Sequence, residues 1–475
     1  MPKAGYRWHA TATAVAAILS AQGAHAEEAA PAAALAGSAA AAGRIAPTQS
    51  ICVRGTCSYQ LSSAQMLALA QKLVADKRFE DLKPLLAAMR QSPGMEVPYA
   101  FLLGLVELET GDAKAAAERF RGILKDHPGQ TRIRLELARA LMIQGRLASA
   151  DYHLRLAEAD EDLPEDIARM IGNARNVIRS NRRFRFGFDF GFAPDSNINS
   201  ATASETVDVN FGPTRIPIEL DDDARARSGL GMTASGYAGV RLPVAEAIAL
   251  VVDADMDLVK YEESDFDDFS FQLAGGPEFE LSGGTVLRAQ GVGLYRWYGG
   301  EIAARQFGGK LTVQHSLDRT RRVAVQFDGR RTESRINAGY NGWQLGANAS
   351  YEQVIGKSTI VSASVLVRRD MLDFEAYSSK SAGVTLGIGT ELPWGINAGL
   401  SGGAIRSVYD EPQLFFSFDK RKDWRYHARA YAGLRQVRVA GFSPSVEYTF
   451  QKVDSTYQFY RSDRHRVEFK LARYF

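Results

Sequence analysis

Residues 184–192 read Phe-Arg-Phe-Gly-Phe-Asp-Phe-Gly-Phe, so Phe184, Phe186, Phe188, Phe190 and Phe192 alternate with Arg185, Gly187, Asp189 and Gly191. A side-chain period of two is that of a β-strand, and an aromatic at every second position gives that strand one apolar face. The same alternation recurs towards the C-terminus. Val323, Val325 and Phe327 oppose Arg322, Gln326, Asp328 and Arg330. Tyr426, Ala428, Ala430, Ala432 and Leu434 oppose Arg425, His427, Arg429 and Arg435, and Val467, Phe469 and Leu471 oppose Arg466, Glu468 and Lys470.

About 14 such strands fit between Phe184 and Phe475, on the alternation rule for membrane strands. A soluble sandwich alternates in the same way, so the connections decide. They are short at Leu242-Pro243, Leu281–Gly284, Leu317–Arg319, Ile355–Lys357, Leu392–Gly395 and Ala440-Gly441. Between these fall longer ones at Asp195–Arg227, Lys260–Phe266, Ser334–Asn341, Met371–Ser381, Asp410–Asp423 and Asp454–Arg464, with a tight one at Gly299-Gly300. Short turns at one rim and long loops at the other are the mark of an outer-membrane barrel. An even strand number puts both barrel ends on the periplasmic side. The last residue, Phe475, follows apolar positions 467, 469 and 471 and reads as the signal for the barrel-assembly machinery, although Arg473 breaks the pattern once.

Upstream, residues 61–180 are helical in pattern and repeat. Leu103-Gly104, Gly111, Ala116, Phe120 and Pro128 match Leu137-Ala138, Gly145, Ala150, Leu154 and Asp162, each pair 34 residues apart. That is the tetratricopeptide period, and Leu69-Ala70, Leu82 and Leu86 extend it one unit earlier. Small residues at 104, 138, 116 and 150 let paired helices approach, while Phe120 and Leu154 fill the space between repeats. Glu107 stands where such repeats usually carry an aromatic. The expected architecture is therefore α+β and multidomain: a periplasmic tetratricopeptide-like domain (61–180) followed by a 14-stranded antiparallel transmembrane β-barrel (184–475).

The chain begins with a processing signal. Lys3 and Arg7 precede an apolar run from Ala10 to Leu19, and Ala24-His25-Ala26 offers the small residues that a signal peptidase reads. Residues 1–26 are read as a signal peptide and 27–60, rich in Ala, Pro and Gly, as a linker. The 475 residues carry 57 basic and 55 acidic side chains, and the leader takes two bases with it, leaving a formally neutral chain. This balance argues against a nucleic-acid partner. No uninterrupted apolar run of about 18 residues occurs, which excludes a helical membrane protein but not a barrel.

Cys52 and Cys57, the two cysteines of the chain, suit a small disulfide loop in an exported protein; a metal pair is the alternative, without further ligands nearby. The inward positions are rich in Arg185, Arg288, Arg296, Arg322, Arg330, Arg425, Arg429, Arg435, Arg466 and Lys470, partly offset by Asp189, Asp328 and Glu468. Two readings stand: a self-neutralising wall that stays hydrated, or a surface preferring anionic segments. The long loops are acidic, at Asp221-Asp222-Asp223 and Glu262–Asp268, which suits solvation or hard divalent cations. His127, His153, His315, His427 and His465 lie in no hydrolase motif, and no phosphate-binding loop is present. Neither catalysis nor a cofactor is expected.

At the end of the first strand the chain reads Phe192-Ala193-Pro194-Asp195-Ser196-Asn197-Ile198-Asn199. This run, after an aromatic strand and preceded by tetratricopeptide repeats, resembles the surface lipoprotein assembly modulators (Slam), the type XI secretion translocons. The resemblance spans nearly the whole chain beyond the signal. It implies an outer-membrane translocon that moves client proteins, either surface lipoproteins or secreted metal- or haem-acquisition proteins, to the cell surface. It also implies a repeat domain working in the periplasm with the client or chaperones. Asp195, Ser196, Asn197 and Asn199 match the family motif; such side chains can satisfy backbone where a strand leaves the membrane, or contact the client. The competing reading is an exopolysaccharide export porin with periplasmic repeats, which usually carries a longer repeat array.

Overall fold

The structure is a computed structural model that describes residues 50–53, 56–59, 61–160, 162–181, 183–212, 214–434, 437 and 442–474. The expected signal peptide, most of the linker, Arg435, the turn at Ala440-Gly441 and Phe475 lie outside the described residues. Two short strands, β1 (Ser50–Val53) and β2 (Thr56–Tyr59), pair antiparallel with Cys52 opposite Cys57. The side chains of this pair lie outside what is described.

Seven helices follow among the described residues: α1 (Ser63–Ala75), α2 (Phe79–Gln91), α3 (Glu96–Glu109), α4 (Ala113–Asp126), α5 (Thr131–Ile143), α6 (Leu147–Glu158) and α7 (Glu165–Asn181). Ser62 starts the first with a reciprocal capping box, its hydroxyl accepting from the Gln65 amide while the Gln65 side chain accepts from the Ser62 amide. The 34-residue spacing has a backbone cause. Gly111 and Gly145 both adopt positive φ (96° and 71°) where α3 turns into α4 and α5 into α6, a conformation that glycine adopts without steric cost. Leu82, Leu102, Phe120, Leu137, Ala138, Ala150 and Leu154 are fully buried in one continuous core. A Cβ at Gly104 would lie 2.5 Å from the Phe120 ring, so this position must stay small for α3 to meet α4. Where the repeat usually has an aromatic, Glu107 instead accepts from Arg119 Nε of α4 at 3.0 and 3.1 Å.

The second unit is a closed barrel of fourteen antiparallel strands. Strand β3 (Phe184–Asp195) opens it. The others are β6 (Gly229–Ala245), β7 (Ile248–Lys260), β8 (Asp268–Leu281), β9 (Thr285–Tyr298), β10 (Glu301–Ser316), β11 (Arg321–Ser334), β12 (Gly342–Ile355), β13 (Thr359–Leu372), β14 (Ser379–Leu392), β15 (Ile396–Tyr409), β16 (Lys422–Leu434), β17 (Ser443–Ser455) and β18 (Ser462–Tyr474). Each pairs with the next, and β18 returns to β3. The apolar teeth face outward: Phe184 is 63% exposed, and Phe186, Phe188, Phe190, Phe192, Leu386, Leu400 and Phe469 are exposed with it. Towards the long-loop ends of the strands this outer face turns aromatic, with Trp297 stacked on Phe269 and Trp424 on Tyr426. That distribution is an apolar band with an aromatic girdle.

Two expectations are corrected. The turn placed at Leu242-Pro243 falls at Glu246-Ala247 instead, because β6 runs on through Pro243 to Ala245. Strand β3 reaches only Val240, so beyond it the missing proline N–H costs no ladder bond on that side. The long connection expected at Asp195–Arg227 is also not a plain loop, because within it the chain forms a hairpin, β4 (Thr206–Phe211) and β5 (Thr214–Glu219). At the tight connection, Gly299 and Gly300 both take positive φ (58° and 83°), as a two-residue hairpin turn requires.

Candidate functional site

The Asp-Ser-Asn-Ile-Asn run is where the first strand ends, and its side chains bind three different parts of the barrel rim. Pro194 has no N–H to give, and the β3–β18 ladder skips Ala193-Pro194 opposite Val467-Glu468. Side chains take over directly beyond it. The Asp195 carboxylate, with its side chain 0% exposed, accepts from Arg464 Nε at 2.9 and 3.0 Å and from Nη2 at 2.5 Å. It also accepts from the Tyr261 hydroxyl at 3.1 Å and from the Asn197 amide at 3.0 Å. Ser196 exchanges two hydrogen bonds with His465: its amide donates to the His465 carbonyl at 2.9 Å, and its hydroxyl accepts from the His465 amide at 2.8 Å.

Asn197, 1% exposed, donates from Nδ2 to the carbonyls of Asp463 (3.0 Å) and Ala201 (2.8 Å) and accepts from the Ala201 amide. Asn199 holds the returning limb before β6, donating to the Arg225 carbonyl at 2.6 Å and accepting from the Arg227 amide at 3.2 Å. Thus Asp195, Ser196 and Asn197 tie the first strand to the last, and Asn199 ties the start of the first loop to its returning limb ahead of the second strand. Burial, together with the adjacent Asp195 carboxylate, pushes the Tyr261 phenol up to about 12 against the opposing pull of Arg464, so it stays protonated and donates.

Among the described residues, the arginines named for the inner wall lie against carboxylates. Arg185 meets Asp253. Glu278 lies between Arg241 (2.8 Å) and Arg288 Nε (3.0 Å). Arg296 binds Asp268 at 2.7 and 2.9 Å, Arg322 binds Glu352 at 2.6 Å, and Arg330 donates to Gln272 at 2.9 Å with Asp328 at 3.5 Å. Arg429 reaches Glu447 at 2.5 and 2.7 Å, Lys470 reaches Glu468 at 2.5 Å, Arg466 reaches Glu468 at 2.7 Å, and Arg425 lies 3.8 Å from Asp423. Reading the basic teeth alone missed their partners Asp253, Asp268, Glu278, Glu352 and Glu447. The signal that would have found them is the same period of two applied to β7, β8, β12 and β17.

Three of the acidic loop residues are paired: Asp222 with Arg225, Glu263 with Arg227 at 2.8 Å, and Asp267 with Lys260 at 3.4 Å. Among the described residues no group of three or more His, Cys, Asp or Glu side chains is arranged to hold a metal ion. The loops also knit to one another. In the hairpin, the Asn210 amide and Nδ2 donate to the carbonyls of Phe415 (2.7 Å) and Leu414 (2.9 Å), and Thr202 Oγ1 donates to the Gln458 carbonyl at 3.3 Å. The buried Arg421 guanidinium lies over the rings of Tyr409 and Tyr460, 4.4 and 3.4 Å from their centroids.

Residues 184–475 match the family described as surface lipoprotein assembly modifier, and residues 107–174 match a tetratricopeptide repeat family. The chain is 22% identical over 378 residues to surface lipoprotein assembly modifier 1 of Haemophilus influenzae, covering 77% of this chain and 75% of that one. It is 21% identical over 454 residues to a surface lipoprotein assembly modifier of Pasteurella multocida, covering 87% and 86%. Among solved structures, a loop-deleted OmpT, an outer membrane protein of Vibrio cholerae, aligns over 62% of this chain and 99% of its own at 9% identity and a TM-score of 0.33. Acinetobacter baumannii OccAB1 aligns over 62% and 96% at 10% identity and a TM-score of 0.34.

Proposed function

This chain belongs to the surface lipoprotein assembly modifier family, and we propose that its barrel is an outer-membrane translocon moving client proteins from the periplasm to the cell surface. The observation that carries this reading is the contrast between the two faces of one wall. Phe186, Phe190 and Phe469 face outward and suit hydrocarbon, whereas Arg185–Asp253, Arg241–Glu278–Arg288 and Arg429–Glu447 face inward and suit water. Paired charges of this kind hydrate a passing chain without holding it, because each of these arginines already lies against a carboxylate.

On this reading the clients are surface lipoproteins or secreted metal- or haem-acquisition proteins, and the helices between Ser63 and Asn181 act in the periplasm on the client or its chaperone. No catalytic step or cofactor is required. The barrel-assembly machinery and outer-membrane lipid complete the partners. Deletion of the chain followed by protease shaving of whole cells tests the reading. A client should remain expressed but become protected from protease. Unchanged surface exposure of every exported protein, with loss of a surface polysaccharide, would overturn it in favour of polymer export.

A further inference from the structure

Neighbouring strands of the described barrel are joined by a turn or loop, with one exception. Strands β3 and β18 open and close the cylinder, so no connection links them at either rim and only non-covalent contacts hold them together. Their ladder is also interrupted at Ala193-Pro194 opposite Val467-Glu468. The β8–β9 ladder breaks in a similar way at Pro277, but there the turn Ser282–Gly284 joins the two strands. The β3–β18 seam is therefore the place where the wall can part without stretching a loop.

The two faces of this seam differ. Its inner face carries Gly187, over which the Tyr237 ring lies, and Gly191 opposite Lys470; a Cβ at Gly191 would collide with the Phe469 carbonyl oxygen, so the two backbones themselves meet there and no β3 side chain fills that point of the seam. Its outer face carries the exposed Phe188, Phe190, Phe192 and Phe469. At the long-loop rim the pair is fastened by the Asp195–Arg464 interaction described above. A lipidated client presents a problem that this geometry answers. An acyl chain held in a hydrated, charged lumen keeps its methylenes in water, so it gains with every CH2 that leaves sideways into hydrocarbon.

We propose that the β3–β18 seam is the lateral route by which the acyl anchor of a lipidated client passes from the lumen to the bilayer, with Asp195 and Arg464 as the latch at its rim. The inference rests on the translocon reading. The anchor threads between strands past Gly191 while the polypeptide stays inside. The outward phenylalanines receive it.

The full-length chain in its native host tests this. Phe190→Cys with Leu471→Cys places two thiols directly opposite across the seam. Val365→Cys with Val384→Cys does so across β13–β14, and Phe279→Cys with Leu287→Cys across β8–β9. Proteins are labelled with an alkyne palmitate and cells are shaved with protease. The probe is the labelled polypeptide that loses surface exposure when this chain is deleted. The expected result is loss of its exposure only when the seam pair is oxidised, restored by reductant, which also establishes that the barrel had assembled. The same client with its lipid-bearing cysteine replaced by serine should still reach the surface or medium through the locked barrel. Normal exposure of the lipidated client with the seam locked would overturn the route, as would equal arrest of both forms or arrest by the control pairs. If no labelled polypeptide depends on the unlocked chain, the route falls; if no exported polypeptide, labelled or not, depends on it, the translocon reading falls as well.

Discussion

Arg464 of the last barrel strand donates to the Asp195 carboxylate of the first at 2.9 and 3.0 Å from one nitrogen and 2.5 Å from another. The two residues are 269 positions apart, and their contact closes the rim at the junction that no loop spans.

Removing the arginine leaves a carboxylate that is 0% exposed without its cation. Arg464→Ala should destabilise the folded barrel by about 3 kcal/mol, in the range for breaking a buried ion pair. The double variant Asp195→Asn, Arg464→Gln should recover part of the loss, because neither a buried charge nor its counter-charge remains. The temperature at which the folded electrophoretic band converts to the unfolded one measures both. Equal transitions in the single and double variants would show that the charge pairing is not the cause.

Tyr261 supplies a pH dependence with a definite sign. Its phenol is pushed up to about 12, above the ordinary value near 10, so the folded state holds the proton more tightly than the unfolded chain. The resulting stabilisation is complete below pH 10 and is lost as pH climbs through about 12. Alkaline difference absorbance of the purified full chain should lose one late-titrating tyrosine in Tyr261→Phe. The variant should also show a smaller loss of stability than the parent over that window. An unchanged late titration would remove Tyr261 from this role.

In the helical unit, Gly104 faces the Phe120 ring. Gly104→Val overfills that contact and should cost about 1–3 kcal/mol, as overpacking of a close-packed core does. Adding Phe120→Leu should return part of it. Limited proteolysis of the full chain, followed by mapping of cuts between residues 96 and 126, reads the effect. Insensitivity of the cuts to both changes would contradict the packing account.

Cys52 and Cys57 stand opposite one another in the register of β1 and β2, a geometry within reach of a disulfide. The chain isolated without reductant should therefore resist thiol alkylation at both positions, and both should label after reduction. Alkylation of either without reductant would leave the pair as thiols.

Much of the fold is legible in residues 184–475 because alternation and loop length are local signals. Five phenylalanines at every second position mark the outer face of β3 without help from any partner strand. The repeat is legible for a similar reason, since Gly111 and Gly145 each turn a helix where the spacing puts them. What could not be read depends on partners distant in sequence. The roles of Asp195 and Asn197 become visible only when residues 463–465 lie beside them. The β4–β5 hairpin hides because Val207 and Val209 alternate over only six residues. Pro243 misleads because its tolerance within β6 depends on where the neighbouring strand stops. The inner wall looked basic because the arginines were read on some strands while Asp253 and Glu278, on others, were not.

On the translocon reading, client polypeptide passes through the lumen of this barrel. Leu311 and Thr312 are adjacent on β10, with Leu311 exposed on the outer face and Thr312 Oγ1 donating to Gln326 across the inner wall at 3.4 Å. A photo-activatable phenylalanine analogue at each position, irradiated in growing cells, samples the two faces from neighbouring sites. Passage through the lumen should give an adduct with an exported client from position 312 and none from position 311; no client adduct at 312, or equal adducts from both, would rule it out.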